Sequence, residues 1–241
     1  MLTIDKKYLD CNSADLVLDL GCGEGRHITG LLELYPQVNV VGLDLNKQDL
    51  RTTNNKLKQY FPDSQAKTIL VEGSAFSLPF ADDSINHIIC SEVLEHIENY
   101  AVVLDEITRV LKPDGTLCVS VPRAWPEKIC WWLSDEYHKV EGGHIRIFNS
   151  STLQNEIVQR HFEFFKRHWA HALHTPYWWL KCAFWNRRDD LFLIRWYHKL
   201  LVWDLTQKPA ITRWIERILN PICGKSVVLY FVKQNVPNEK N

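Results

Sequence analysis

The feature that most limits the folds open to this 241-residue chain is an apolar strand that runs directly into a glycine-rich turn. Residues 15–20 read DLVLDL, the glycine-rich letters GCGEG follow at positions 21–25, and residues 25–35 have the apolar spacing of a helix. Glycines at such a turn bring a ligand close to bare backbone, and the first turn of the helix offers unpaired N–H groups. This order predicts a ligand site between the strand and the helix.

Strands and helices continue to alternate through the first half of the chain. Strands are predicted over residues 15–20, 38–43, 68–71, 85–90 and 117–121, with helices over 25–35, 47–60 and 100–111 and a turn at 112–115. Helices of this length between strands predict βαβ units, a parallel sheet and right-handed crossovers. The second half predicts a loop with a short helix over 123–143, a helix over 150–160, a strand over 162–169, two or three helices over 176–220 and a strand over 226–233.

The two halves also differ in charge and in tryptophan content. Residues 1–120 carry 10 Lys and Arg against 18 Asp and Glu, whereas residues 121–241 carry 18 against 11 and all ten tryptophans. An apolar fraction of 46% excludes disorder as the main state. There is no signal-peptide pattern, no apolar run of about 18 residues and no CxxC pair among seven cysteines, so a cytoplasmic protein with reduced thiols is expected.

The glycine pattern itself separates two kinds of nucleotide ligand. A dinucleotide fingerprint GxGxxG needs a third glycine where this chain has Arg26, and the pattern here is GxGxG. Glu24 also places an acid where a pyrophosphate would sit, which electrostatics disfavours. A ligand without phosphate and with a cationic portion fits better.

With these motifs the chain resembles the class I S-adenosylmethionine (SAM)-dependent methyltransferases, specifically the broad type 11 group. The similarity covers residues 15–122 and weakens toward residue 153, and it also includes VVGLDL, GSAFSLPF, SINHIICSEVLEHI and LKPDG. The resemblance implies an α/β, Rossmann-like, doubly wound, mostly parallel seven-stranded sheet with the last strand antiparallel and a helical insertion before it. It implies S-adenosyl-L-methionine as the cofactor.

The resemblance also assigns candidate cofactor-binding residues. It places Asp19, Gly21, Cys22 and Gly23 around the methionine part, Asp44 and Leu45 at the ribose, Ser74, Ala75 and Phe76 at the adenine, and Ser91 after the fourth strand. Asp44 is expected to accept the ribose hydroxyls, although it could instead cap the next helix. Ser74 stands where aspartate is usual, so a hydroxyl or the backbone of the next two residues would serve the adenine.

Three residues are candidates for catalysis: Glu92, His96 and His144. If SEVLEH is helical, Glu92, Glu95 and His96 share one face. His96 or His144 is a candidate general base or substrate-orienting residue. Two acids and two histidines could also bind a divalent metal. Because EVLEH is widespread in the type 11 group as a packing and capping segment, no metal is assigned. Tyr137, His138 and Arg146 are pocket candidates by position alone.

The chain is expected to form one domain. Residues 1–122 would be the cofactor-binding core, 123–169 a substrate-covering segment, 170–225 a Trp-rich insertion and 226–233 the final strand. Tryptophans interleaved with cations at helical spacing suit a peripheral membrane contact or a lid over a lipid or isoprenoid acceptor. The alternatives are packing on the sheet and a dimer contact.

The expected function is methyl transfer to a small or lipophilic acceptor at oxygen or carbon. Nucleic acid is disfavoured as a partner, because the basic excess of the second half is modest and its cations are diluted among large apolar residues. Ser91-Glu92 stands where enzymes that methylate base amino groups have N-P-P-[YF], which disfavours that reaction but leaves ribose and other RNA targets open. The alternatives left open are an RNA methyltransferase and a methyltransferase-fold binding module without catalysis.

Overall fold

Seven strands form one sheet in the computed structural model, which describes residues 2–140, 142–188, 190–207 and 209–235. The strands are β1 (Leu16–Leu20), β2 (Asn39–Asp44), β3 (Thr68–Glu72), β4 (Ile85–Ser91), β5 (Leu111–Pro122), β6 (Phe162–Ala170) and β7 (Ser226–Lys233). The helices are α1 (Arg26–Leu34), α2 (Lys47–Tyr60), α3 (Tyr100–Val110), α4 (Ala124–Leu133), α5 (Glu136–Lys139), α6 (Ser150–Val158), α7 (His174–Ala183), α8 (Phe192–Gln207) and α9 (Ala210–Cys223). Short 3-10 helices span Lys6–Tyr8, Pro62–Lys67, Leu94–His96 and Trp185–Arg187.

The strand order is β3-β2-β1-β4-β5-β7-β6. The first five strands in this order pair in parallel, and β7 pairs antiparallel with both β5 and β6. The order reverses direction between β1 and β4, which is the place where open α/β sheets bind ligands at the carboxyl ends of their strands. This topology confirms the predicted fold class.

Helices cover both faces of the sheet because successive strand residues point to opposite sides. In β1, Leu18 and Leu20 belong to the core cluster that α3 and α6 cover, whereas Val17 belongs to the cluster on the α1 face. All three side chains are at most 1% exposed. A strand buried on both faces explains why residues 16–20 are apolar apart from a single charged residue, Asp19.

Two local expectations differ from the structure. The predicted turn at 112–115 lies inside β5 as an irregularity, with Asp114 at φ +62° and a register shift opposite Ile85 and His87. Residues 123–143, predicted as a loop with one short helix, contain both α4 and α5, because α4 buries an apolar side that includes Pro126 and Cys130.

The helices α7, α8 and α9 lie between β6 and β7, where the sequence predicted a helical insertion. Their tryptophans fall into two groups. Trp178, Trp179 and Trp185 pack with Trp131 around buried Cys130, Tyr137 and Cys182, which joins α7 to α4. Trp196, Trp203 and Trp214 on α8 and α9 are instead 52%, 44% and 62% exposed. None of the helices among the described residues is long and apolar enough to span a bilayer.

Candidate active site

The glycine turn after β1 adopts left-handed backbone at every glycine. Gly21, Gly23 and Gly25 have φ of +70°, +50° and +75°, a region that side chains with a Cβ rarely adopt. A Cβ on Gly21 would lie 2.4 Å from Cγ2 of Val93, so this glycine lets the segment after β4 close over the turn. A Cβ on Gly23 would meet no atom within 4 Å, so the backbone there faces open space that a ligand can enter.

Asp19 places a carboxylate directly beneath this turn. Its side chain is 1% exposed, and Oδ2 has no hydrogen-bond partner. Burial raises the pKa of Asp19 to about 7, although Arg26 opposes the shift. His27 lies 3.7 Å away, but burial lowers the pKa of His27 to about 3, so the imidazole stays neutral and supplies no counterion. A buried carboxylate oxygen without a hydrogen-bond partner is suited to a cationic ligand group.

Asp44 ends β2 on the other side of the turn. Its Oδ2 accepts a hydrogen bond of 2.7 Å from the backbone N–H of Gly23, and its Oδ1 accepts one of 2.8 Å from that of Asn46. Asp44 does not cap α2. Asn46 does so instead, because its side chain accepts hydrogen bonds from the N–H groups of Gln48 and Asp49. Asp44 is therefore fixed at the sheet edge by backbone donors, with further lone pairs available to a ligand.

The remaining cofactor candidates lie along the same sheet edge. Leu45 is 71% exposed and Phe76 is 46% exposed, so both offer apolar surface to a flat ring. The hydroxyl of Ser74 accepts a hydrogen bond of 3.2 Å from the backbone N–H of Phe76, which stabilises the loop after β3. Ala75 packs against the core. Cys22 is buried inside the turn, and burial raises the pKa of its thiol.

Ser91 ends β4, Glu92 follows it, and both form a hydrogen-bonded chain with β5. The Ser91 hydroxyl lies 2.7 Å from that of Ser120, and the Ser120 hydroxyl donates to Oε1 of Glu92 at 3.2 Å. Glu92 has φ +58°, and its backbone N–H donates to the Ser120 carbonyl. The predicted helical face is therefore wrong: Glu92 lies outside the 3-10 helix Leu94–His96 and is held against β5.

Glu95, His96 and His144 come together in the structure. One ligating atom from each lies within 4.8 Å of the other two, and the two imidazole rings are 5.0 Å apart. Glu95 is fully buried, and neither carboxylate oxygen has a hydrogen-bond partner. Burial, with a contribution from Glu92, raises the pKa of Glu95 well above its usual value. Burial also lowers the pKa of His96, whose Nδ1 lies 3.2 Å from the Gly143 carbonyl.

Glu127 is the residue of this cluster that sequence reasoning missed. It lies on α4, it is 2% exposed, and its Oε1 is 2.6 Å from Nδ1 of His144. Burial acts to raise the pKa of Glu127, but the hydrogen bond from His144 outweighs it and lowers the pKa. An ionised carboxylate only accepts, so His144 donates from Nδ1 and leaves Nε2 available to a substrate. The available signal was one acid within an apolar helix, AWPEKICWWL.

The three pocket candidates separate. Tyr137 joins the cluster: its hydroxyl donates to Oε2 of Glu127 at 3.4 Å, and its ring meets that of His144 edge-on. His138 stacks on a tryptophan of α4 instead, and Arg146 donates to a backbone carbonyl at position 98 and lies over an aromatic ring of α3. A surface groove between α2 and β3 contains none of the candidate residues.

A short segment connects the glycine turn to the histidine cluster. Val93 lies against Gly21, and His96 follows three residues later in the chain. The turn holds a buried acid for a cation, and the cluster holds an imidazole oriented by Glu127. This arrangement can bind a positively charged ligand and accept a proton from a second molecule placed beside it.

Comparisons with known proteins identify the family and the fold of the chain. Residues 12–173, about two thirds of the chain, match the family described as methyltransferase domain. A demethylmenaquinone methyltransferase of Lactobacillus johnsonii is 36% identical over 110 residues, which cover 45% of this chain and 44% of that protein. A trans-aconitate 2-methyltransferase of an Azoarcus species is 30% identical over 116 residues, covering 48% and 42%. The alignments thus span less than half of the length of these curated relatives.

A solved structure shows the same fold over nearly the whole chain. The YcgJ protein of Bacillus subtilis superimposes with a TM-score of 0.63 at 20% sequence identity, covering 96% of both chains. Together with the family match, this shows that the chain belongs to the methyltransferase-domain family and has the fold of the class I SAM-dependent methyltransferases.

Proposed function

We propose that this chain is a SAM-dependent methyltransferase that methylates a lipophilic small molecule at oxygen or carbon. The observation that carries the methyl-transfer part is the buried carboxylate of Asp19, which has an unpartnered oxygen beneath a left-handed glycine turn that is open at Gly23. A cationic ligand without phosphate satisfies that oxygen. SAM has this chemistry.

The residues present fit SAM part by part. Asp19 would hold the cationic methionine portion, and Asp44, fixed by two backbone donors, would accept the ribose hydroxyls. Leu45 and Phe76 offer apolar surface for the adenine. When bound, SAM supplies a methyl group already activated on a sulfonium, so the protein needs mainly to position the acceptor and to exclude water.

His144 and Glu127 supply the proton acceptor. Glu127 fixes the imidazole through Nδ1 at 2.6 Å, so Nε2 of His144 accepts the proton that an acceptor hydroxyl or activated carbon releases as its bond to the methyl forms. Glu95, buried and without hydrogen-bond partners, lies against the same imidazole.

The acceptor class is inferred from the surface of α8 and α9, because the relatives are named for acceptors as different as demethylmenaquinone and trans-aconitate. On α9, Thr212 and Glu216 are buried, while the opposite stripe is exposed. This stripe consists of Ile211, Trp214, Ile218 and Ile222, which are 62%, 62%, 46% and 63% exposed. The helix therefore turns its polar face to the protein and its apolar face outward.

Charge favours a membrane surface as the occupant of this face. Both acids of α8 and α9, Asp204 and Glu216, are buried, whereas the basic residues of these helices are exposed: Arg195, Lys199, Arg213 and Arg217. Aromatic and aliphatic side chains among cations match the interface of an anionic bilayer. We infer peripheral binding to anionic lipid, which would bring the site to a lipophilic acceptor.

The methyl-transfer proposal is tested first by calorimetric titration of S-adenosylhomocysteine. Wild-type protein should bind it, and Asp44→Ala should weaken binding at least tenfold, whereas Asp83→Asn, an exposed carboxylate paired with Lys233, should leave it unchanged. No binding to the wild type at millimolar concentration would instead indicate a fold without catalysis.

Turnover is followed as transfer of labelled methyl from SAM into three fractions: a total lipid extract, an aqueous metabolite extract and total RNA. Label is expected in lipid. His144→Ala and Glu127→Gln should lower that rate about 10²–10⁴-fold with unchanged affinity for S-adenosylhomocysteine, while His198→Ala, an exposed histidine on α8, should not. Label confined to RNA or to the aqueous extract rules out the lipophilic acceptor.

Lipid binding is tested by sedimentation with vesicles of phosphatidylcholine, with and without phosphatidylglycerol. The wild type should sediment with the anionic vesicles and be released by salt. Trp214→Glu should abolish sedimentation, while Trp132→Glu, a tryptophan 82% exposed on α4, serves as the matched control. A wild type that ignores vesicles and forms a dimer disrupted by Trp214→Glu would identify this face as a contact between copies.

A further inference from the structure

A second group of metal-ligating side chains lies within the insertion and shares no residue with the candidate active site. His171 follows β6, His174 begins α7, and Glu216 lies on α9, and one ligating atom from each lies within 4.8 Å of the other two. The two histidines form an H-x-x-H pair in the letters HALH, and their rings are 5.3 Å apart at 71°. Two imidazoles and a carboxylate are ligands that suit a transition-metal ion.

Two of these side chains carry a buried polar atom without a hydrogen-bond partner. They are His174, through Nδ1, and Glu216, through Oε1. His171 is 7% exposed and Glu216 is 8% exposed. A buried polar atom without a partner is destabilising, so these two atoms call for a ligand that satisfies both.

A second buried acid, Asp204, lies on α8. Asp204 is 3% exposed, and its Oδ2 has no hydrogen-bond partner. Its charge acts on both His174 and Glu216, although Asp204 is not one of the residues whose ligating atoms lie within 4.8 Å of one another. The three clustered side chains are thus accompanied by a second buried acid.

We propose that His171, His174 and Glu216 bind a structural divalent transition-metal ion, Zn²⁺ by its preference for nitrogen and carboxylate ligands in a closed site, with Asp204 as the fourth ligand or its charge partner. One ion would satisfy the unpartnered atoms of His174 and Glu216 at once. It would also offset the negative charge of the two buried acids, Glu216 and Asp204. His171 and Glu216 are buried and His174 is half-buried, which indicates a structural role, since catalytic zinc keeps an open position.

The position of the cluster explains what the ion would hold. Glu216 lies on the buried polar face of α9, opposite the exposed stripe that contains Trp214. His171 also contacts the N-terminal segment, through Nε2 at 3.2 Å from the Thr3 hydroxyl. A bound ion would therefore tie α8 and α9 to the end of β6 and keep the apolar stripe outward, independently of the proposed methyl transfer.

The test uses the full chain, stripped with a chelator and titrated with Co²⁺ and Zn²⁺. One equivalent of Co²⁺ should bind with the visible absorption of a tetrahedral site and be displaced by Zn²⁺. A hundredfold excess of Zn²⁺ over its Kd should raise Tm by about 5–10 °C. His174→Asn and the more conservative Glu216→Gln should each weaken binding at least tenfold, whereas His198→Asn on the exposed side of α8 should not.

A double variant, His96→Asn with His144→Asn, separates this site from the histidine cluster of the active site. It should retain the equivalent of metal and the rise in Tm. Absence of metal binding by the wild type at 100 µM would overturn the proposal, as would binding that only the His96 and His144 substitutions remove. The wild-type titration tests metal binding without any variant, so the proposal can be refuted even if a variant fails to fold.

Discussion

Replacing Asp19 with asparagine should make the protein without cofactor more stable at pH 8 and weaken its cofactor binding. The pKa of Asp19 is raised by burial from 3.8 to about 7. Between these values the folded state keeps a proton that the unfolded state has released, so the free energy of unfolding falls as pH rises from about 4 to about 7. The neutral amide in Asp19→Asn removes this loss.

The size of the effect follows from the shift. About three pH units at 1.36 kcal/mol each amount to about 4 kcal/mol by pH 8, of which about 3 kcal/mol accumulates between pH 5 and pH 8. The buried amide N–H of asparagine would offset about 1–3 kcal/mol of the gain. We therefore expect Asp19→Asn to be about 1–3 kcal/mol more stable than the wild type at pH 8.

Urea denaturation at pH 5 and pH 8 measures both quantities. The stability difference between variant and wild type should become about 3 kcal/mol more favourable to the variant between the two pH values. Asp63→Asn, an exposed carboxylate in the Pro62–Lys67 turn, corrects for the loss of one negative charge. A difference that is equal at pH 5 and pH 8, or a variant less stable than the wild type at pH 8, would refute the reasoning.

The same variant separates stability from binding. S-adenosylhomocysteine should raise the Tm of the wild type at pH 8, because its cationic amino group satisfies the Asp19 oxygen that has no partner. The rise should be largely lost in Asp19→Asn, although that protein begins from a higher Tm. A variant that binds as tightly as the wild type would show that Asp19 does not contact the ligand.

Three further substitutions test the packing around the site and the sheet. Gly21→Ala and Gly23→Ala both place a Cβ at positive φ, at about 1–2 kcal/mol each, but only Gly21→Ala meets Val93 at 2.4 Å. It should be about 1–3 kcal/mol less stable in urea than Gly23→Ala, and equal stabilities would contradict the contact. Tyr230→Phe removes the hydroxyl that accepts from the N–H of Asp5 at 2.7 Å, so it should cost about 1 kcal/mol in the same assay. Hydrogen exchange of residues 2–9 should then become faster, and unchanged exchange would show that this bond does not anchor the N-terminal segment.

The cofactor side of the site could be predicted because it depends on short-range features. Asp19, Gly21 and Gly23 lie within five residues, and Asp44 ends the next strand. Parallel strands place these ends along one edge whatever the rest of the chain does. The histidine cluster could be predicted only in part. His96 and His144, each proposed from the sequence, come together in the structure. Glu127, which fixes His144, was missed because the folding of α4 against the loop at 143–148 has no local sequence signal.

The sequence by itself determined the sheet, its crossovers and the glycine turn, because strand period, helix period and left-handed glycines are properties of neighbouring residues. Periodicity also determined that α9 has an apolar and a polar face. Only the tertiary structure decided that the apolar face, with Trp214, points outward, and that Glu216 on the polar face meets His171 and His174. Which face is buried depends on what other helices and strands present to it, and here they present buried polar groups that only a polar face can meet.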